Sequence, residues 1–196
     1  MKKIYCAGPL FNPKEREDME DIANILNAEY EVFLPHRDGI ELASLNKTLI
    51  EQGFFPDVAN SLISKAIFQI DTYQIASSDG IVLNLNGRVP DEGTMVEAGI
   101  AWTLGKAVVI YKNDARSALL GLDNPMITGL SHFRILDDIK DLPIEFETIF
   151  SNGFCPIEID LDSENSPYSS GKRLFQCYSS TRNDKDRIYD FLNELG

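Results

Sequence analysis

The chain predicts a three-layer α/β/α fold, with a mostly parallel central sheet of about five strands. Two observations carry that reading. Short β-branched and aromatic runs at 3–7, 31–34, 80–85 and 107–111 alternate with segments whose apolar residues recur at helical spacing, the pattern of strands joined by helical crossovers. The runs Gly80-Ile81-Val82-Leu83-Asn84-Leu85 and Ala107-Val108-Val109-Ile110-Tyr111 are almost wholly apolar, as strands covered on both faces must be. A length of 196 residues suits one domain with a full core.

The elements follow in order. Lys3-Ile4-Tyr5-Cys6-Ala7 reads as a first, buried strand, broken by Gly8-Pro9. Residues 14–29 read as a helix with Met19, Ile22, Ala23, Ile25 and Leu26 on one face. Glu31-Val32-Phe33-Leu34 is a second strand, stopped by Pro35. A short helix over 40–52 ends at Gly53, and a longer one runs from Asp57 to Ile75 with a stripe of Val58, Leu62, Ala66, Ile70 and Tyr73. Strand 80–85, helix 92–104 and strand 107–111 come next, and Phe133-Arg134-Ile135-Leu136 reads as a fifth strand. After residue 151 the composition turns to Ser, Asp, Asn, Lys and Gly. This predicts a main domain over 1–150 and an extension over 151–196 packed on it. A last helix at 184–195 would dock through Ile188, Phe191, Leu192 and Leu195.

Charge and composition narrow the function classes. A net charge of −13 repels phosphate backbones and argues against a nucleic-acid partner. No run of eighteen apolar residues offers a membrane span, and Met1-Lys2-Lys3 runs into a strand rather than a signal sequence. Cys6, Cys155 and Cys177 are odd in number and widely spaced, which fits a reducing cytoplasm better than a disulfide framework. Neither they nor His36 and His132 have the spacing of a metal motif.

Three acids, Asp71, Asp91 and Glu97, are candidates for one site. The loop after the third strand, Gly87-Arg88-Val89-Pro90-Asp91-Glu92-Gly93, leads into a helix carrying Glu97, and Asp71 lies late in the long helix. Loops leaving the C-terminal edge of a parallel sheet normally hold its chemistry. Each acid also has a plain structural reading. Thr94 to Glu97 spells a capping box, Asp91 suits the positive end of a helix, and Asp71 suits a solvent-facing helix. Asp79 reads as a turn or cap. Tyr5 reads as a core residue whose hydroxyl needs a partner if buried. Asn124 reads as a turn residue, and Lys14 and Arg16 would either meet a phosphate or sit on the surface of their helix. A carboxylate attacking an anomeric carbon, a second acid protonating the leaving group and a tyrosine orienting the nucleophile would together suit glycosyl transfer without a metal.

The chain resembles the nucleoside 2-deoxyribosyltransferase family. The resemblance rests on Lys3 to Phe11, on Asp71-Thr72-Tyr73-Gln74 with Asp79, and on Asp91-Glu92-Gly93-Thr94 through Glu97-Ala98-Gly99. It continues through Gly105-Lys106-Ala107-Val108, Tyr111 to Arg116 and Asn124-Pro125-Met126, so that it spans residues 3–136. It implies a flavodoxin-like domain that forms at least a homodimer and needs no cofactor. The substrates it implies are a 2′-deoxynucleoside and a free nucleobase. It puts the nucleophile on Glu97, assisting acids on Asp71 and Asp91, and the tyrosine partner on Tyr5. Substrate contacts fall on Gly8, Pro9, Leu10 and Gly93, and on Asn124 and Met126 from a neighbouring subunit. With Glu97 in the first turns of its helix, the helix dipole is expected to keep it ionised when no ligand is bound. Many family members end near the position of residue 150, so the extension is a departure; its segment around Pro167-Tyr168-Ser169-Ser170-Gly171 would serve as a lid or as plain packing. Two alternatives remain at this point, an N-glycoside hydrolase of (deoxy)nucleosides or their 5′-monophosphates and a non-catalytic nucleotide-binding module.

Overall fold

A computed structural model of the protein describes residues 1–39, 42–87, 89–116, 123–152, 169–173 and 176. Among them, five strands form one sheet: β1 (Lys3–Ala7), β2 (Glu31–Phe33), β3 (Gly80–Asn84), β4 (Ala107–Tyr111) and β5 (Ile135–Leu136). Their order is β2-β1-β3-β4-β5, and every neighbouring pair is parallel. The helices are α1 (Pro13–Leu26), α2 (Pro35–Asp38), α3 (Leu42–Glu51), α4 (Pro56–Ser77), α5 (Glu92–Thr103), α6 (Pro125–Thr128) and α7 (Leu142–Ser151). The architecture is the three-layer α/β/α fold that the alternating pattern predicts.

Strand periodicity sorts the core into two layers. Ile4 and Cys6 of β1 join Met19, Ile22 and Leu26 of α1 and Phe146 of α7 on one face. Tyr5 and Ala7 join Ile75 of α4 and Ala98 and Ala101 of α5 on the other. The chain thus leaves β1 toward one face through α1 and returns to β3 across the other through α4. The strand order reverses between β1 and β3, and the crevice beyond their C-terminal ends is where such sheets hold ligands.

Several elements differ from the sequence reading. Pro35 does not simply stop β2; it opens the one-turn helix α2, because its fixed φ suits a first helical position. Helix α7 is missing from the reading, although Leu142 and Phe146 are both buried in it. The fifth strand shrinks to Ile135–Leu136, because His132 and Phe133 hold left-handed turn conformations at φ 53° and 63°. The stripe expected to bury α4 is buried only in part: Ala66 and Ile70 are partly buried, and Ile70 packs on the core. Val58, Leu62 and Tyr73 are exposed, and Ala59, Ile63 and Ile75 are the buried residues.

The chain divides into two compact units, Met1–Pro156 and Ile157–Gly196. In the second, residues 169–173 are helical, where the sequence reading has an open, lid-like segment. The remainder of that segment, the helix expected at 184–195, Cys155 and Cys177 lie outside the described residues. Cys6 is a free thiol in the core. No helix among the described residues is long and apolar enough to cross a membrane.

Candidate active site

Tyr5 is fully buried on the α4–α5 side of β1, where its ring stacks on Phe33 at 5.6 Å. Its hydroxyl finds the partner that burial demands: it donates to Glu97 Oε1 at 2.5 Å. That bond settles the structural role of Glu97. The N-cap of α5 is Asp91, not Thr94; Asp91 Oδ2 accepts from Thr94 N at 2.7 Å and from Thr94 Oγ1 at 2.8 Å. The capping-box reading of Thr94 and Glu97 therefore fails by one turn. Thr94 is itself the third helical residue, and Glu97 is left facing the tyrosine.

The electrostatics of Glu97 also depart from expectation. Burial, and then the charges of Asp71 and Asp91, push its carboxyl up to about 7, while the Tyr5 hydrogen bond works against them. The helix dipole does not hold it ionised, because Glu97 is the sixth residue of α5 and the dipole fades beyond the first turn. Asp71 is also raised, through burial. It is not the solvent-facing helix acid of the alternative reading, since it is half-buried. Burial, followed by the Glu97 and Asp71 charges, keeps the Tyr5 phenol protonated far above the ordinary phenol range.

Asp71 and Glu97 share a cavity of ≈ 410 Å³ between α4 and α5, with Thr72, Gly93 and Ile100 among its other walls. That volume lies in the range of small-ligand sites. Two carboxylates therefore line a mostly apolar hollow, with the Tyr5 phenol bonded to one of them and the Asp91 charge acting on it, a setting suited to stabilising a developing cation and to holding one acid protonated.

The remaining expected site residues take the following places. Gly8, Pro9 and Leu10 leave the C-terminal end of β1, and Gly93 is the second residue of α5. A side chain at residue 8 would put its Cβ 2.3 Å from Met19 Sδ and 2.9 Å from Asn84 Cβ, so close packing of α1 and β3 already requires a glycine there. Asn124 caps α6, its Oδ1 accepting from Met126 N at 3.0 Å, and Met126 is 80 % exposed. Neither is hydrogen-bonded to the Tyr5–Glu97 pair of its own chain. Asp79 is a strand anchor, accepting from Lys3 N at 2.8 Å and Lys2 Nζ at 2.9 Å. Arg16 donates to the Leu10 carbonyl at 2.8 Å, and Lys14 pairs with Glu17 and Asp18, so both serve the surface of α1. Among the described residues, no three His, Cys, Asp or Glu side chains are grouped to hold a metal.

The sequence reading passed over a polar rim at the same edge of the sheet. Asn84, at the end of β3, is buried, and its Oδ1 accepts from Asn86 N at 3.0 Å. Asn86 Oδ1 accepts from Asn113 N at 2.8 Å, and Asp114 Oδ2 from Gly87 N at 2.9 Å, which ties the loop after β3 to the loop after β4. An Asn in an otherwise apolar strand was the available signal.

The family model of nucleoside 2-deoxyribosyltransferase matches residues 4–168. No curated protein matches the chain. Among solved structures, a 2-deoxyribosyltransferase from the psychrotolerant bacterium Bacillus psychrosaccharolyticus is similar with TM-score 0.53 and 23 % identity, covering 72 % of this chain and 90 % of that one. A conserved protein from Enterococcus faecalis V583 gives TM-score 0.55 at 24 % identity, covering 76 % and 98 %. A 2-desoxiribosyltransferase from Leishmania mexicana gives 0.52 at 18 % identity, covering 75 % and 97 %. At these identities the likenesses show a shared fold.

Proposed function

The chain belongs to the nucleoside 2-deoxyribosyltransferase family, and on that premise we propose that it transfers the deoxyribosyl group of a 2′-deoxynucleoside to another nucleobase. The observation that carries the reading is the Tyr5–Glu97 hydrogen bond beside Asp71 and Asp91 in one cavity-edged cluster. Glu97 attacks C1′ from the face opposite the base. The C1′–N bond breaks, and the departing base takes a proton, for which Asp71 is the better placed donor because burial raises its pKa. The sugar is held as an ester on Glu97 until a second base attacks from the vacated face, and two inversions leave the configuration retained. The flanking carboxylates stabilise the oxocarbenium-like transition state more than the neutral ground state.

Tyr5 has two tasks in this scheme. It holds one carboxylate oxygen in place, and it favours the ionised form that a nucleophile needs. Asp91 favours nucleosides over nucleotides, since a carboxylate repels a 5′-phosphate but accepts from a free 5′-hydroxyl. Its two internal bonds both use Oδ2, so Oδ1 retains its accepting capacity. The working unit is a homodimer or a higher homo-oligomer in which Asn124 and Met126 serve the neighbour's site. The exposed Phe55, Val58, Leu62 and Tyr73, which share one face of α4 and its N-cap, support this, as an exposed apolar face of this kind suits a partner.

Incubation with deoxyinosine and adenine tests the reading. Transfer yields deoxyadenosine. Hydrolysis yields hypoxanthine and free sugar only, and a binding module yields neither. Glu97→Ala abolishes turnover in a folded protein if Glu97 is the nucleophile, and turnover above roughly a tenth of the parent rate removes that assignment.

A further inference from the structure

We infer that Lys112 is a positioning residue that staples the Asn124–Met126 turn in place for the neighbouring subunit's site; the inference rests on the proposed shared-site enzyme. Among the described residues, Lys112 is the one buried charged residue. It follows β4 directly, and its ammonium pairs with Asp123, the two side chains being only 6 % and 19 % exposed. Asp123 immediately precedes Asn124, the N-cap of α6.

The backbone of Lys112 makes the second attachment. Its N–H donates to Leu136 O at 2.8 Å, at the end of β5. One residue thus clamps both ends of the excursion 123–136, with its ammonium at the entry and its amide at the exit. Inside the excursion the chain is held by Phe133 N donating to Thr128 O at 2.8 Å and by Ser131 Oγ donating to Arg134 O at 2.6 Å. Thr128 and Ser131 are buried, whereas Met126 projects. The excursion therefore packs as a unit with α6 on its outer side, and the Lys112–Asp123 pair ties the start of that unit to the sheet.

A buried ion pair is a poor device for stability, because desolvation offsets most of the attraction, but it fixes geometry well. An apolar pair of similar volume would hold the layers together without fixing the entry point of Asn124. A small error there matters, since a shift of about 1 Å in a positioning group can cost on the order of a hundredfold in rate.

Mixed dimers test the inference. Lys112→Met should remain folded and dimeric and lose about tenfold or more in kcat/KM for transfer from deoxyinosine to adenine. Asp123→Asn should do the same, and it serves if Lys112→Met is insoluble. A purely structural role would instead lower Tm and leave kcat/KM of the folded fraction at the parent value, which overturns the proposal. Differently tagged subunits, one Glu97→Ala and one Lys112→Met, are then co-expressed and the mixed dimer purified. It should recover about half the parent rate, because one site combines an intact Glu97 with an intact turn from its neighbour. A mixed dimer as inactive as the separate variants places the action of Lys112 within its own subunit and overturns the proposal. A parallel mixed dimer of Glu97→Ala with Asn124→Ala reports on the shared site itself. If that control recovers activity and the Lys112 dimer does not, only the present inference falls; if the control also fails, the shared-site reading falls first.

Discussion

Tyr5 and Glu97 come from different layers of the fold, a central strand and a covering helix, and meet in a hydrogen bond of 2.5 Å. The bond opposes the burial and the neighbouring negative charges that raise the Glu97 carboxyl to about 7. In the proposed mechanism the same contact sets both activity and its pH dependence.

Tyr5→Phe removes the hydrogen bond that lowers the Glu97 pKa while keeping the ring that stacks on Phe33. The acid limb of kcat/KM, which reports groups of the free enzyme, should then move above 7, by about one unit or more for a lost bond to a charged group. The loss should be large at pH 6 and shrink toward pH 9. A limb that stays in place, or a uniform loss at every pH, would leave Tyr5 as a packing residue only.

Asp91→Asn should act in the opposite direction. The amide oxygen still caps α5 by accepting from Thr94, so the helix keeps its start. The negative charge that raises Glu97 is removed, so the acid limb should shift to lower pH. Asp91→Ala, by contrast, should also cost about 1 kcal/mol of stability through the lost cap. Equal stability of the two variants by chemical denaturation would contradict the cap. Turnover of 5′-monophosphates that improves in neither variant would contradict the electrostatic argument for nucleosides.

How far the sequence foretells this site depends on which physical rule each residue obeys. The alternation of strand and helix patterns is local, and β1, α1, β3, α5 and β4 all fall where periodicity puts them. The need of a buried Tyr5 hydroxyl for a partner was also legible, although the partner, 92 positions away, was not derivable from spacing. The capping box was misread because Asp91 and Thr94 offer competing caps three residues apart, and the side-chain bond that decides between them is tertiary information. The α4 stripe shows the same limit. Val58, Leu62 and Tyr73 repeat at helical spacing as a core face would, yet they are exposed. An interface face and a core face obey one pattern, since both are apolar for the same reason. The Lys112–Asp123 pair was silent because a lysine after a strand normally reads as surface.

The exposed α4 face gives a test of assembly. Leu62→Glu places a charge in the stripe without touching the buried Ala59, Ile63 or Ile75. Sedimentation at micromolar concentration should show the parent as a dimer or larger and the variant shifted to monomer, with transfer activity lost alongside. A parent that is a fully active monomer would remove both the interface and the shared site.

Glu97→Gln should change the pH dependence of stability in a direction fixed by sign. The folded-state pKa is raised from 4.5 to about 7, so the native protein binds more protons than the unfolded chain between those values. Stability linked to this group is fully present below pH 4.5 and is lost as pH rises through about 7. The loss amounts to about 2 kcal/mol once discounted for partial solvent access. Glutamine does not titrate, and its amide oxygen still accepts from Tyr5, so the variant escapes that loss without vacating the space. Relative to the parent, its Tm should therefore rise by several degrees, on the order of 4–8 °C, between pH 5 and pH 8. Parallel melting curves at both pH values would mean that Glu97 titrates at its ordinary value in the folded protein. The buried, charge-crowded carboxylate would then have to be given up, and with it the acid limb near neutrality that the proposed nucleophile requires.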